Sequence, residues 1–141
     1  GLLPENLPDL PILMMNGDLL TKIDFTELLN FHLQNEGIAT VCVREYDFQV
    51  PYGVIKAKDN CIISIEEKPV QKFFINAGVY VLDPKILHSI DGTSYLDMPK
   101  LLENEIENSR KVNMFPIYEY WLDIGQIDQF KQAQQDLAEF F

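Results

Sequence analysis

Four short stretches of this 141-residue chain carry residue types that could do chemistry. Asn16-Gly17-Asp18 follows directly on the apolar run Ile12–Met15. In open α/β sheets ligands bind beyond the carboxyl ends of strands, and Asp18 falls at such an end. A carboxylate there can hold a hard cation such as Mg²⁺, which takes oxygen ligands and shares them with phosphates. The same tripeptide is also turn chemistry, and Asp18 could simply cap a turn. Glu66-Glu67-Lys68-Pro69 places an ammonium beside carboxylates, suited to a phosphate and to sugar hydroxyls respectively, or to a solvated turn. Pro69 biases Lys68 toward extended backbone. Asn76-Ala77-Gly78 interrupts the apolar run Phe73–Leu82, either for a ligand approaching the backbone or for internal packing. Tyr120-Trp121-Leu122-Asp123-Ile124-Gly125 offers a second carboxylate, Asp123, which spacing alone does not bring to Asp18. Trp121 suits a core position or a ligand stack.

Other machinery is missing. The chain has no Gly-x-Ser-x-Gly elbow, Cys/His dyad, P-loop or metal-binding His pair. Its two histidines, His32 and His88, fall on expected helices. Carboxylates and a lysine without a general base suit a reaction whose nucleophile is already ionised.

The elements that must position these residues alternate. Ile12–Met15 reads as a buried strand, and Asp24 caps a helix that places Phe25, Leu28, Leu29 and Leu33 on one face and ends at Gly37 in a left-handed conformation. Residues 38–43 form the next strand, completing a βαβ unit with a parallel component. Residues 53–57 and 62–65 flank the turn pair Asp59-Asn60 and read as a hairpin. Residues 73–82 form a central strand. Asp83-Pro84 starts a short helix, and Asp97 caps one that carries Met98, Leu101, Leu102 and Ile106. Residues 112–117 return to strand, and Ile127, Phe130, Ala133 and Leu137 recur at helical spacing. The fold class is α/β with a mixed sheet, in a single domain over residues 1–141.

Composition sets the outer bounds. A hydrophobic share of 47% with a charged share of 23% belongs to a globular domain, not a disordered chain. Eleven basic against 22 acidic residues, a net charge of −11, argue against nucleic-acid binding. No apolar stretch approaches the ~18 residues of a membrane span. The opening Gly1-Leu2-Leu3-Pro4-Glu5 has neither a starting Met nor the basic-then-apolar build of a signal peptide, and the chain is expected to begin within a longer one. Cys42 and Cys61 both lie in apolar runs and are expected as buried free thiols, as in a reducing cytoplasm.

Taken in order, Asn16-Gly17-Asp18, Tyr52-Gly53-Val54-Ile55, Glu66-Glu67-Lys68-Pro69, Asn76-Ala77-Gly78-Val79-Tyr80-Val81 and Trp121-Leu122-Asp123-Ile124-Gly125 resemble the sugar-1-phosphate nucleotidylyltransferases. The nearest likeness is to the mannose-1-phosphate guanylyltransferase-like branch, and it extends over nearly the whole chain. The resemblance implies a mixed, mainly parallel Rossmann-like sheet with a hairpin insertion. It implies transfer of a nucleotidyl group from a nucleoside triphosphate, GTP first, to a sugar 1-phosphate such as mannose 1-phosphate, with release of pyrophosphate. By similarity Asp18 and Asp123 would bind Mg²⁺, Lys68 the sugar phosphate and Glu67 the sugar hydroxyls. Tyr52, Gly53, Asn76 and Ala77 would line the sugar site. The family's Gly-x-Gly-(Thr/Ser)-Arg-Leu opening and Lys-Pro element do not occur here. The chain is therefore expected to be the C-terminal, sugar-binding portion of such a domain, inactive alone, lacking its N-terminal nucleotide-binding part. That missing segment, or a second copy, is an expected partner for the uncovered sheet edge. A non-catalytic sugar-phosphate-binding relative is the alternative.

Overall fold

The structure is a computed structural model that describes residues 8–90 and 94–140. The chain divides into two compact units. One comprises the described residues up to Val43 and from Asn76 onward; the other is Arg44–Ile75.

The first unit is built on a sheet in the order β1 (Ile12–Met15), β6 (Val70–Leu82), β3 (Ala39–Gln49) and β7 (Val112–Pro116), to which β6 contributes its residues from Asn76 and β3 its residues up to Val43. β1 runs antiparallel to β6, with Ile12 opposite Leu82 and Met15 opposite Val79, while β3 runs parallel to β7. The sheet is therefore mixed, and the strand expected over residues 73–82 lies inside it; β1 stands at its edge with Leu13, Met14 and Met15 exposed, against the expectation of a buried strand. Its run Val79-Tyr80-Val81-Leu82 is buried on both faces because side chains alternate along a strand. Val79 and Val81 pack with Leu28 and Cys42 beneath helix α1 (Phe25–Asn35). Tyr80 and Leu82 pack with Ile86 of the 3₁₀ helix Pro84–Ser89 and with Leu101 and Leu102 of α2 (Met98–Glu107). Helices on both faces exclude water from the sheet, and this double layer is the core.

Helix starts follow the capping rules. Asp24 Oδ1 accepts from the Thr26 and Glu27 amides at 2.8 and 3.0 Å, and Asp97 Oδ1 accepts from Lys100 N–H at 2.9 Å. Helix faces depart from expectation in three places. On α1, Leu33 is exposed and His32 is buried, because His32 Nδ1 meets Thr40 Oγ1 of β3 at 2.8 Å. On α2, Glu105 is fully buried and Ile106 exposed; an ion pair of 3.1 Å to Arg110 offsets burial of the carboxylate. On α3 (Ile127–Phe140), Ile127, Phe130 and Leu137 are exposed, while Ala133 and Asp136 are buried. The end of α1 is a further correction. Glu36, not Gly37, takes the positive φ of 41°. Gly37 is required for close approach instead, since a Cβ there would sit 2.6 Å from Asn113 Nδ2 and 2.9 Å from the Lys111 carbonyl.

In the second unit β4 (Gly53–Lys58) and β5 (Cys61–Glu67) form the expected antiparallel hairpin, with a register shift at Lys56/Ala57. Asp59 and Asn60 have φ of 50° and 64°, the pair of positive values a type I′ turn requires. Cys61 is exposed, against the expectation of burial. A two-stranded ribbon has no layer over its faces within this unit, so an apolar run does not ensure burial. Among the described residues no helix is long and apolar enough to cross a membrane.

Candidate functional site

The first cluster lies in the first unit, where β1 ends. Asn16 N–H donates to the Gly78 carbonyl at 2.9 Å, and Gly17-Asp18 then turn the chain into β2 (Leu19–Thr21). β2 does not join the main sheet; it pairs antiparallel with β8 (Trp121–Asp123). Leu19 stands opposite Asp123, and Ile124 N–H donates to the Asp18 carbonyl at 2.8 Å. Two aspartates remote in sequence thus occupy neighbouring positions at one end of a ribbon. Asp18 sits in the turn immediately before the strand, one residue from the position opposite Asp123.

Both carboxylates are exposed, and among the described residues neither has a hydrogen-bond or ion-pair partner. No cluster of three or more His, Cys, Asp or Glu suited to a metal occurs among the described residues. Two unpaired carboxylates of hard oxygen donors fit Mg²⁺, which keeps water and phosphate oxygens in its remaining positions. They do not fit a structural zinc, which wants four protein ligands of nitrogen or sulfur.

The strand beside this ribbon is held by the motif Asn76-Ala77-Gly78. Asn76 Oδ1 accepts from Gly78 N–H at 2.9 Å, and its Nδ2 donates to Tyr80 Oη at 2.9 Å. Burial pushes the Tyr80 phenol up, while the Asn76 bond pulls it down. Gly78 has φ of +70°, and a Cβ there would lie 2.7 Å from Asn16 Nδ2. Ala77 is fully buried, and its carbonyl accepts from Trp121 Nε1 at 2.8 Å. Trp121 is therefore partly a core residue and partly a tie between β8 and β6.

The second cluster lies wholly within the hairpin unit. Gly53 stands opposite Glu67, and a Cβ on Gly53 would touch Glu67 Oε2 at 3.0 Å, so the carboxylate lies over the glycine. Lys68 N–H donates to the Tyr52 carbonyl at 3.2 Å, and the Lys68 carbonyl accepts from Gln49 Nε2 at 3.3 Å. These bonds hold Lys68 at φ of 46°, not in the extended conformation expected before Pro69. A left-handed residue of this kind costs roughly 1–3 kcal/mol and is found where a side chain must be aimed. Tyr52 is 74% exposed. Among the described residues no group engages the Lys68 ammonium.

Two residues to which the sequence analysis gave no role, Asp136 and Gln132, support the first cluster through Tyr120. Tyr120 Oη donates to Asp136 Oδ2 of α3, and Gln132 Nε2 donates to Asp136 Oδ1 at 2.6 Å. Burial, reinforced by this carboxylate, pushes the Tyr120 phenol up to about 12. The available signal was Asp136 standing three residues after Ala133 on the helix.

A mixed α/β domain with polar groups gathered beyond a strand end is a small-molecule-handling architecture. The nucleotidyl transferase family model matches residues 3–139, and the chain belongs to that family. Among its relatives, a mannose-1-phosphate guanyltransferase of Debaryomyces hansenii is 33% identical over 132 residues, covering 86% of this chain and 35% of the relative. A glucose-1-phosphate adenylyltransferase of Fusobacterium nucleatum is 30% identical over 142 residues, covering 89% and 36%. The chain thus spans about a third of the length of these relatives. In structure it is similar to a putative glucose-1-phosphate thymidylyltransferase from Bacillus anthracis solved with sucrose. The TM-score is 0.65 at 19% identity, over 94% of this chain and 56% of that one. HddC from Yersinia pseudotuberculosis gives a TM-score of 0.59 at 23% identity, over 90% and 55%. The structural likenesses bear on the fold alone.

Proposed function

We propose that the protein carrying this chain joins mannose 1-phosphate to GTP, giving GDP-mannose and pyrophosphate in the cytoplasm. The observation that carries this reading is the ribbon pairing that sets Asp18 beside Asp123. The guanyltransferase relatives at 33% identity favour the nucleotide and the sugar. The unpaired carboxylates weigh against a non-catalytic relative, because such a domain has no need of a cation pair.

In this reaction a sugar-phosphate oxygen, anionic at neutral pH, attacks the α-phosphorus of the nucleotide. The bond to the β-phosphate breaks, and pyrophosphate leaves with the electron pair. No general base is needed. The barrier lies in aligning two anions and neutralising developing charge. Lys68 binds the sugar phosphate, and Glu67 accepts from sugar hydroxyls beside the backbone of Tyr52 and Gly53. Asn76 and Ala77 contribute the amide and backbone groups of the sugar subsite. Asp18 and Asp123 would hold Mg²⁺, which would supply Lewis-acid neutralisation of phosphate charge.

Pyrophosphate release tests the assignment, using the complete polypeptide with GTP, mannose 1-phosphate and Mg²⁺. Asp123→Asn should lower kcat by about 100-fold or more while the protein stays folded. Turnover in Asp123→Asn equal to that of the parent would overturn it. The adenylyltransferase relatives at 30% identity favour a second reading, ATP with glucose 1-phosphate. A larger kcat/KM for that pair would select it.

A further inference from the structure

α3 is attached to the rest of its unit in an unusual way. Its apolar residues Ile127, Phe130 and Leu137 are exposed, and its buried side chains among the described residues are Ala133 and the carboxylate of Asp136. A methyl group buries little area, so the Asp136 carboxylate, bonded to Tyr120, is the side-chain hydrogen bond that ties α3 to the segment leading into β8. That carboxylate, 6% exposed, accepts from Tyr120 Oη and from Gln132 Nε2. Tyr120 immediately precedes β8. Its carbonyl accepts from Lys22 N–H at 2.9 Å and from Thr21 Oγ1 at 3.0 Å, which closes the ribbon at the end away from Asp18 and Asp123. The ribbon has no backbone pairing to the main sheet, so side chains must fix it: Trp121 through Ala77 on one side, Asp136 through Tyr120 on the other.

We infer that Asp136 is a positioning residue for the cation pair: through Tyr120 it clamps the β2–β8 ribbon, and so fixes Asp123 beside Asp18. The inference rests on the cation-pair reading of those two aspartates. Buried charge-assisted bonds suit this task because they are directional, and losing either partner leaves the other unsatisfied in a low-dielectric setting.

Amide hydrogen exchange on the 141-residue chain tests the clamp without metal, and a Mn²⁺ titration tests its consequence. The reporter is Ile124 N–H, bonded to Asp18; the reference is Leu28 N–H, bonded to Asp24 in the main core. Asp136→Ala and Tyr120→Phe should each speed Ile124 exchange about tenfold relative to Leu28 and weaken Mn²⁺ binding severalfold. Asp136→Asn, which keeps one acceptor for the tyrosine but loses the charge, should fall between the parent and Asp136→Ala. Tyr120→Phe keeps the ring and decides the matter if Asp136→Ala does not fold. Equal acceleration at Ile124 and Leu28, or none at either, overturns the clamp. Selective acceleration together with Mn²⁺ binding that survives Asp123→Asn overturns the cation reading instead, and with it the proposed role.

Discussion

At the residue scale, the two glycines bordering Asn residues are fixed by different constraints. Gly37 is fixed by space alone, whereas Gly78 is fixed by both space and φ. Gly78→Ala must therefore place a methyl in the left-handed region and displace Asn16, the residue that leads into Asp18. A destabilisation of about 2 kcal/mol or more is expected, measured as a lower urea midpoint at unchanged m. The two thiols give a second test. Burial, with the nearby Glu119 carboxylate adding to it, pushes the Cys42 thiol up to about 12, while Cys61 is exposed. A chromogenic disulfide reagent should label one thiol in the native chain and the second only on unfolding, since the thiolate is the nucleophile. Rapid labelling of both would contradict the packing of Cys42 in the core.

At the element scale, α1 is tied to β3 by the contact between His32 and Thr40. Burial lowers the imidazole's pKa below 6.5, although Asp83 opposes the shift. The folded state therefore binds this proton less readily than the unfolded chain. The associated stability is fully present above about pH 6.5 and is lost as pH falls through the lowered value. Urea melts between pH 7.5 and 5.5 should show a decline of at most about 1.4 kcal/mol per pH unit from this residue, and His32→Gln should flatten it. An unchanged slope in that variant would remove His32 as the cause.

The same elements explain how far the sequence could be read. Asp24, Asp97 and Asp59-Asn60 were legible because caps and tight turns are local chemistry, settled within about four residues. The strand over residues 73–82 was legible from its length and composition. The pairing of Leu19 with Asp123 was not, because register between remote strands is a tertiary outcome that no spacing encodes. The faces of α3 were misread for a related reason. An apolar stripe shows which side of a helix could be buried, but a tyrosine hydroxyl at Asp136 favours a face that shares only Ala133 with that stripe. Lys68 departs from extended backbone because bonds to Tyr52 and Gln49 outweigh the local preference imposed by Pro69.

At the scale of the whole molecule, a net charge of −11 makes anionic substrates unwelcome except where charge is locally inverted. Lys68 can do this in the hairpin unit, and a divalent cation at Asp18 and Asp123 can do it in the sheet unit. The account therefore depends on the carboxylate pair being a cation site and not two solvated acids. Electron paramagnetic resonance titration with Mn²⁺ on the 141-residue chain tests this most directly, comparing the parent with Asp18→Asn, Asp123→Asn and, as a control of equal charge change, Asp24→Asn. The account predicts that binding is lost on either of the first two substitutions and kept in the third. Equal affinity in all four proteins would contradict it.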